Sequence, residues 1–96
     1  MVVLSEWRVK LLDMIDQTGS ISRAAEHMKV TYHRAWEKLH EMEEGLGYKL
    51  VDAQVGGVHG GGAQLTPQGR DLMKKFRAFD VGLSDEIEQR FNKAFE

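Results

Sequence analysis

The chain has 96 residues, enough for one domain. Its 42% hydrophobic and 29% charged residues and net charge of −2 are those of an ordinary globular protein, not of one coated in basic residues. It contains no cysteine, which excludes disulfides, thiolate metal sites and catalytic thiols. No apolar run approaches the roughly 18 residues of a membrane span, and the N-terminus lacks signal-peptide features, so we expect a cytoplasmic protein.

The first predicted helix spans about residues 5–17. Ser5 is suited to cap its start, and Gly19 is a natural left-handed stop. Apolar residues recur at three- and four-residue steps and predict one buried stripe, made of Leu4, Trp7, Leu11, Leu12 and Ile15.

Two further helices follow, separated by a tight turn at Lys29-Val30. The second helix is predicted over about residues 22–28, with Ser20 and Ser22 as cap candidates, and the third over about 32–44, with Thr31 as its cap. Gly45 and Gly47 are expected to end the third helix. The residues expected to face the core are Ile21, Ala24, Ala25, Met28, Val30, Ala35, Leu39 and Met42.

A glycine-rich segment comes next, because five of the ten glycines lie within Gly56–Gly62. It predicts the tip of a two-stranded hairpin, with residues 48–51 as one strand and residues 64–66 as the other. A helix-turn-helix followed by a hairpin is a winged helix-turn-helix. The expected fold class is therefore mainly α with a small β-hairpin.

The last predicted element starts at Thr66-Pro67, a good cap followed by a proline at the first helical position. Its apolar stripe consists of Leu72, Phe76, Phe79, Leu83, Ile87, Phe91 and Phe95. Core packing, a dimer interface and a contact with a missing domain are all open, and a dimer interface through Leu72, Phe76, Phe79, Leu83, Ile87 and Phe91 is favoured. Gly82 and Ser84 allow a joint near 80–84, so one helix or two remain possible. We expect a DNA-binding unit over residues 1–70 and a dimerisation element over 67–96.

DNA binding is the function that this arrangement favours, because the second helix of a helix-turn-helix lies in the major groove with its N-terminal residues at the base edges. The candidate contacts on and before that helix are Ser20, Ser22, Arg23, Thr31, Tyr32, His33, Arg34, Trp36, Glu37 and Lys38. Residues 20–40 contain four basic and two acidic side chains, whereas residues 41–52 contain one basic and four acidic. The mildly basic segment, residues 20–40, is thus the one expected to meet phosphates.

The hairpin tip offers a second contact, through Gly57, His59, Gly60 and Gly61, to the phosphate backbone or the minor groove. A polar helix face that is merely solvated and a tip without a binding role are the alternatives. A winged-helix module that binds proteins and not specific DNA is the alternative function.

Other chemistry finds little support in the sequence. His33, Glu37 and His40 share one helix but offer too few converging ligands for a metal, so no metal site and no cofactor are expected. No nucleophile, base and orienting group form a recognisable arrangement, so an enzyme is not expected.

Three motifs together resemble a known family. Gly19–Ser22 opens the second helix, Thr31-Tyr32 and Ala35-Trp36 match an [ST]-Y-x-x-A-W pattern, and Gly56–Gly69 matches G-G-x-x-G-G-G-A-x-L-T-x-x-G. Over about residues 5–80 the chain resembles the N-terminal DNA-binding domain of molybdate-responsive regulators of the ModE type, and more widely the LysR-type winged helices.

The resemblance implies a homodimeric transcriptional regulator that binds a palindromic operator in double-stranded DNA. Full-length members of the ModE type carry molybdate-binding domains after the linker helix, and these 96 residues end before such domains would begin. No molybdate site is therefore expected in this chain, and it is predicted to act as a stand-alone DNA-binding module or with sensing placed elsewhere.

Overall fold

A computed structural model describes residues 5–54 and 62–95. Four helices and one hairpin follow in the order α1 (Glu6–Thr18), α2 (Ile21–Met28), α3 (Tyr32–Leu46), β1 (Val51–Ala53), β2 (Ala63–Leu65) and α4 (Pro67–Ala94). The order matches the predicted winged helix-turn-helix.

Each helix begins at a side chain that accepts a backbone N–H bond from three residues further on. The four caps are Ser5, Ser20, Thr31 and Thr66. This satisfies one of the free N–H groups at each helix start, as the sequence predicts. Ser20, not Ser22, caps α2, which therefore begins one residue earlier than expected.

The core lies between α1, α2 and α3, and one side of it is covered by the hairpin and the start of α4. Its buried residues are Val9, Leu11, Leu12, Ile15, Ile21, Ala24, Ala25, Ala35, Leu39, Met42, Leu50, Val51, Ala63, Leu65 and Met73. The inward faces predicted for the first three helices are confirmed, although Trp7, Met28 and Val30 are only partly buried. Leu4 lies outside the described residues.

Of the two glycines predicted to end α3, Gly47 does so and Gly45 does not. Gly45 is a helical residue, and the helix stops at Gly47, whose φ of 81° is left-handed and whose N–H donates to the Glu43 carbonyl at 2.8 Å. The two extra helical residues, Gly45 and Leu46, let the Leu46 side chain pack against the core, where it is partly buried. Partial burial of a leucine offsets the helix penalty of one glycine, which is about 1 kcal/mol.

The hairpin is antiparallel, and it pairs Val51 with Leu65 and Ala53 with Ala63. The predicted first strand, residues 48–51, is shifted towards the tip, because the backbone of Lys49 and Leu50 bonds to Thr66 and Glu43 instead of continuing the ladder. The second strand also begins and ends one residue early, since Thr66 caps α4.

Helix α4 is a single continuous helix of 28 residues, about 42 Å long, with no break at Gly82 or Ser84. Its first third packs on the body: Met73 is buried, and Leu72 and Phe76 are half-buried against the core. Asp13 and Asp16 of α1 form ion pairs with Arg77 and Arg70 at 2.9 and 3.2 Å. From residue 77 to residue 95 every residue is exposed, so the last five turns project from the body.

Candidate nucleic-acid interface

The turn between α2 and α3 fixes the direction in which α3 leaves the body. Lys29 adopts a left-handed conformation with φ of 58°, and its N–H and that of Val30 donate to the carbonyls of Glu26 and Ala25 at 3.1 and 3.0 Å. These bonds satisfy the last carbonyls of α2 and close the helix. Thr31 then starts α3 by accepting the Arg34 N–H at 3.1 Å.

The first two turns of α3 present a polar and aromatic surface to solvent. Ala35 and Leu39 are buried beneath it and hold the helix on the body. The predicted contacts Thr31, Tyr32, His33, Arg34, Trp36 and Glu37 are all exposed. Tyr32 and Trp36 stand out, because large aromatic rings are left 53% and 41% exposed at a surface that core packing does not need.

One ion pair lies within this surface. The Nε2 atom of His33 is 2.9 Å from Glu37 Oε1. Since a carboxylate only accepts, the imidazole N–H donates to it. The pair leaves the other ring nitrogen of His33 and the second oxygen of Glu37 for other partners.

Lys38 is the predicted contact on α3 whose side chain is held in an ion-pair network of the chain itself. It lies four residues after Arg34, about 40° around the helix axis, so it shares a face of α3 with Arg34 and not with Trp36. Its ammonium is 3.4 Å from the Glu41 carboxylate, which Arg8 of α1 also binds at 2.9 Å. Lys38 is thus part of a three-residue ion-pair network between α1 and α3.

A ring contact on α3 was not predicted. The rings of Trp36 and His40 stack with centroids 3.7 Å apart and planes 23° apart, and His40 Nδ1 is 2.9 Å from the Trp36 carbonyl oxygen. In the sequence His40 appeared only as a weak metal ligand. The available signal was the spacing of four residues between two aromatic rings, which places them on the same side of a helix.

The start of α2 carries the three other predicted contacts. Ser20 Oγ accepts the Arg23 N–H at 3.2 Å, so this hydroxyl already serves as the helix cap. Ser22 and Arg23 are exposed in the first turn. Backbone N–H groups at such a helix start favour a phosphate.

The hairpin is attached to α3 through Glu43. One carboxylate oxygen accepts the N–H of Leu50 at 2.7 Å and that of Val51 at 3.3 Å. Because Trp36 lies seven residues before Glu43, the same flank of α3 carries the Trp36 ring and faces the hairpin. The predicted tip contacts Gly57, His59, Gly60 and Gly61 lie outside the described residues.

The base of the hairpin is closed by Thr66 and Gly69. Thr66 Oγ1 donates to the Lys49 carbonyl at 2.7 Å and accepts the Gly69 N–H at 2.9 Å, while the Thr66 N–H donates to the Leu50 carbonyl at 2.9 Å. Gly69 packs so closely on Leu50 that a β-carbon would overlap the Leu50 carbonyl oxygen. On the tip side, the Ala63 N–H donates to the Gly19 carbonyl at 2.9 Å.

The residues expected to form a dimer interface fall into two groups. Leu72 and Phe76 pack partly against the core of their own chain, whereas Phe79, Leu83, Ile87 and Phe91 are 41–63% exposed on the projecting part of α4. Phe91 lies against the exposed Phe95, with ring centroids 4.6 Å apart and ring planes tilted by 33°.

Within residues 5–54 and 62–95, three or more His, Cys, Asp or Glu side chains nowhere converge on a possible metal position. The helices among these same residues are all too short or too polar to cross a bilayer.

The bacterial regulatory helix-turn-helix model of the lysR family matches residues 8–70, from α1 to the start of α4. The chain belongs to the lysR family. The match contains α2, the turn and α3, and also the hairpin and the Thr66–Gly69 closure.

Relatives of this lysR-family chain include proteins whose names refer to molybdenum. It is 36% identical to the molybdenum transport protein ModE of Azotobacter vinelandii over 93 residues, which is 94% of this chain and 34% of that protein. It is 42% identical to the molybdenum-pterin-binding protein MopB of Rhodobacter capsulatus over 77 residues, 80% of this chain and 28% of that protein. With the DNA-binding transcriptional dual regulator ModE of Escherichia coli (strain K12) it shares 38% over 87 residues, 82% of this chain and 33% of that one. The chain spans about a third of the length of these curated relatives.

Solved structures of the lysR type have the same fold. A CbnR_DBD–DNA complex superposes with a TM-score of 0.68 at 20% identity and covers 96% of this chain and 100% of that one. DarR of Vibrio fischeri in complex with DNA gives a TM-score of 0.69 at 20% identity, over 95% of this chain and 30% of that one. At these identities the likeness establishes the winged-helix fold.

Proposed function

We propose that this chain binds double-stranded DNA as part of a transcriptional regulator, with α3 in the major groove and the hairpin against the backbone or minor groove. The observation that carries the proposal is the exposed surface Thr31–Glu37, which projects from a helix whose opposite side is buried. Arg34 supplies a cation for a guanine or a phosphate, and Glu37 an acceptor for a cytosine amino group. Ser22 and Arg23 at the start of α2 supply backbone contacts.

The proposed assembly is a homodimer in which residues 1–70 bind DNA and residues 67–96 pair the two copies. Its support is the stripe of Phe79, Leu83, Ile87 and Phe91, which the chain leaves exposed. Full burial of such a side chain gains about 1.5–3 kcal/mol, and roughly half of that remains to be gained by side chains that are 41–63% exposed, so four of them still favour pairing. A two-fold dimer would place two α3 helices on a palindromic operator.

The relatives suggest which genes are controlled. Because the names of several refer to molybdenum or to a transcriptional regulator, we propose operators at genes connected with molybdenum. This part of the proposal rests on the relatives, not on any feature of the described residues.

The direct test is selection of bound sequences from random duplex DNA by the wild-type chain. We expect enrichment of one sequence with two-fold symmetry, which a mobility-shift assay then confirms. Arg34→Ala should weaken binding of that duplex by about 1–3 kcal/mol, the value of one good cation contact with a base. Its thermal stability should be nearly unchanged, since Arg34 is exposed.

Lys10→Ala is the matched control, because Lys10 is also an exposed cation but lies on α1, outside α3, the hairpin and the proposed dimerisation element. It should bind the enriched duplex like the wild type. Failure to enrich any sequence would contradict the proposed function, and equal affinities for the two variants would contradict the role of α3.

A further inference from the structure

The stacked pair Trp36–His40 is held together by two separate contacts. The imidazole lies on the indole with ring centroids 3.7 Å apart, and its Nδ1 is 2.9 Å from the Trp36 carbonyl oxygen. Since a carbonyl oxygen only accepts, Nδ1 carries the proton and donates. The first contact fixes the plane of the imidazole and the second fixes its position along α3.

Core packing restrains the Trp36 indole only in part, because this side chain is 41% exposed. Tyr32, four residues earlier on the same side of α3, is 53% exposed. A large side chain at a surface can occupy several rotamers, and fixing one of them on binding costs free energy. Helical side chains lean towards the N-terminus, so His40 leans back onto Trp36 from the following turn. The imidazole therefore limits the positions of the indole before any partner arrives.

Two observations argue against a direct contact of His40 with DNA. It lies eight residues after Tyr32, about 12 Å further along the helix axis than the residues that meet base edges. It is also surrounded in sequence by the acidic residues Glu37, Glu41, Glu43 and Glu44, which disfavour a phosphate at that place.

We infer that His40 is a positioning residue for sequence reading: by stacking on Trp36 it holds the indole in the orientation in which this ring meets base edges in the major groove. The inference rests on the proposed function of α3. Its consequence is that His40 contributes to the preference for one DNA sequence through Trp36, and not through affinity for DNA in general.

The experiment compares His40→Ala, His40→Phe, Trp36→Ala and the double variant with the wild type. Each is measured on two probes, the duplex that the wild type enriches from random DNA and a scrambled duplex of the same composition. His40→Ala should lower the ratio of the two affinities roughly threefold to tenfold, the range expected for one aromatic contact. In the Trp36→Ala background the same change should leave the ratio unaltered, because the ring on which His40 acts is gone.

Two further measurements separate positioning from a general structural effect. His40→Phe keeps a ring that can stack and should recover most of the lost ratio. In the free protein, the NMR order parameter of the Trp36 indole N–H should fall in His40→Ala, because the indole gains freedom of motion. It should not fall in His40→Phe or in the control His27→Ala, which removes an exposed histidine from α2.

The outcomes are distinguishable. If the wild type enriches no duplex, the proposed function fails and this inference falls with it. If a duplex is enriched, the inference alone is overturned by any of four results: an unchanged ratio in His40→Ala, an equal loss on both duplexes, a persisting loss without Trp36, or a Phe variant as weak as the Ala variant.

Discussion

Gly69→Ala and Gly82→Ala are expected to change stability in opposite directions, although both glycines lie in α4. A β-carbon at Gly69 would overlap the Leu50 carbonyl oxygen and would lie 3.2 and 3.3 Å from the Leu50 carbonyl carbon and Cα. At Gly82 a β-carbon meets no atom within 4 Å. The helix-forming advantage of alanine is the same at both positions, so packing decides the sign.

The magnitudes follow from that difference. Alanine in place of a helical glycine gains about 0.5–1 kcal/mol, which is the full effect expected at Gly82. At Gly69 the backbone of Leu50 or of α4 must move, and overpacking of this kind costs about 1–3 kcal/mol. Because Gly69 also donates to Thr66 Oγ1 at 2.9 Å, a shift would weaken the helix cap as well. The net expectation for Gly69→Ala is a destabilisation of about 1–2 kcal/mol.

Urea unfolding followed by circular dichroism measures both variants under identical conditions. For a domain of this size, 1 kcal/mol corresponds to a change of about 4–8 °C in Tm, so thermal unfolding gives an independent check. A stabilised Gly69→Ala variant would refute the packing of α4 on Leu50.

Three further results are expected. Glu43→Ala should lower the free energy of unfolding by about 1–3 kcal/mol and speed hydrogen exchange at the buried Leu50 amide, because it removes the acceptor of that amide. The control Glu44→Ala changes an exposed side chain and should alter the free energy of unfolding by no more than about 0.5 kcal/mol, so equal values for the two variants would contradict the attachment by Glu43. Phe79→Asp combined with Ile87→Asp should give monomers in light scattering, because both side chains are about 60% exposed on the projecting part of α4. Dimers that persist in this variant would exclude this surface as the dimer interface. Affinity for DNA should fall with salt, with a logarithmic slope of about −0.9 per phosphate contact, and a flat response in the mobility-shift assay would rule out phosphate binding.

Local features explain why so much of the fold was predictable. Each cap bonds to a backbone group three residues away, so Ser5, Thr31 and Thr66 could be identified from a few neighbouring residues. The buried face of α3 follows from the period of Ala35 and Leu39 in the same way. Such signals depend on the chain within one or two turns and need no knowledge of the tertiary structure.

The errors arise where tertiary contacts outweigh local preference. Of the two glycines predicted to end α3, Gly45 does not, because two more helical residues let Leu46 pack against the core. The first strand was placed too early, because the acceptors and donors of Lys49 and Leu50 are taken by side chains and backbone elsewhere in the fold. The attachment by Glu43 joins a helix to a backbone seven residues further on, and a glutamate on a helix has no sequence signal for this.

The candidate site was predictable as a surface but not in its internal contacts. The exposed residues of α3 follow from helical periodicity, and Tyr32 and Trp36 occur where expected. Periodicity alone did not show that Lys38 is bound to Glu41, nor that His40 covers a face of the indole. Both depend on rotamers, which sequence spacing permits but does not determine.

Leu50 determines where this chain tolerates changes in length. Its N–H is bound by α3, its carbonyl is bound by the cap of α4, and Gly69 packs against it, so three elements meet at one residue. Insertions or deletions in residues 47–50 or 65–69 would misalign all three at once. On the other side of Leu50, the described hairpin reaches as far as the Gln54 N–H, which donates to the Gly62 carbonyl at 2.8 Å. The connection from α3 to β1 and the connection from β2 to α4 should therefore keep their lengths together, because a change in either one would break the contacts of both at Leu50.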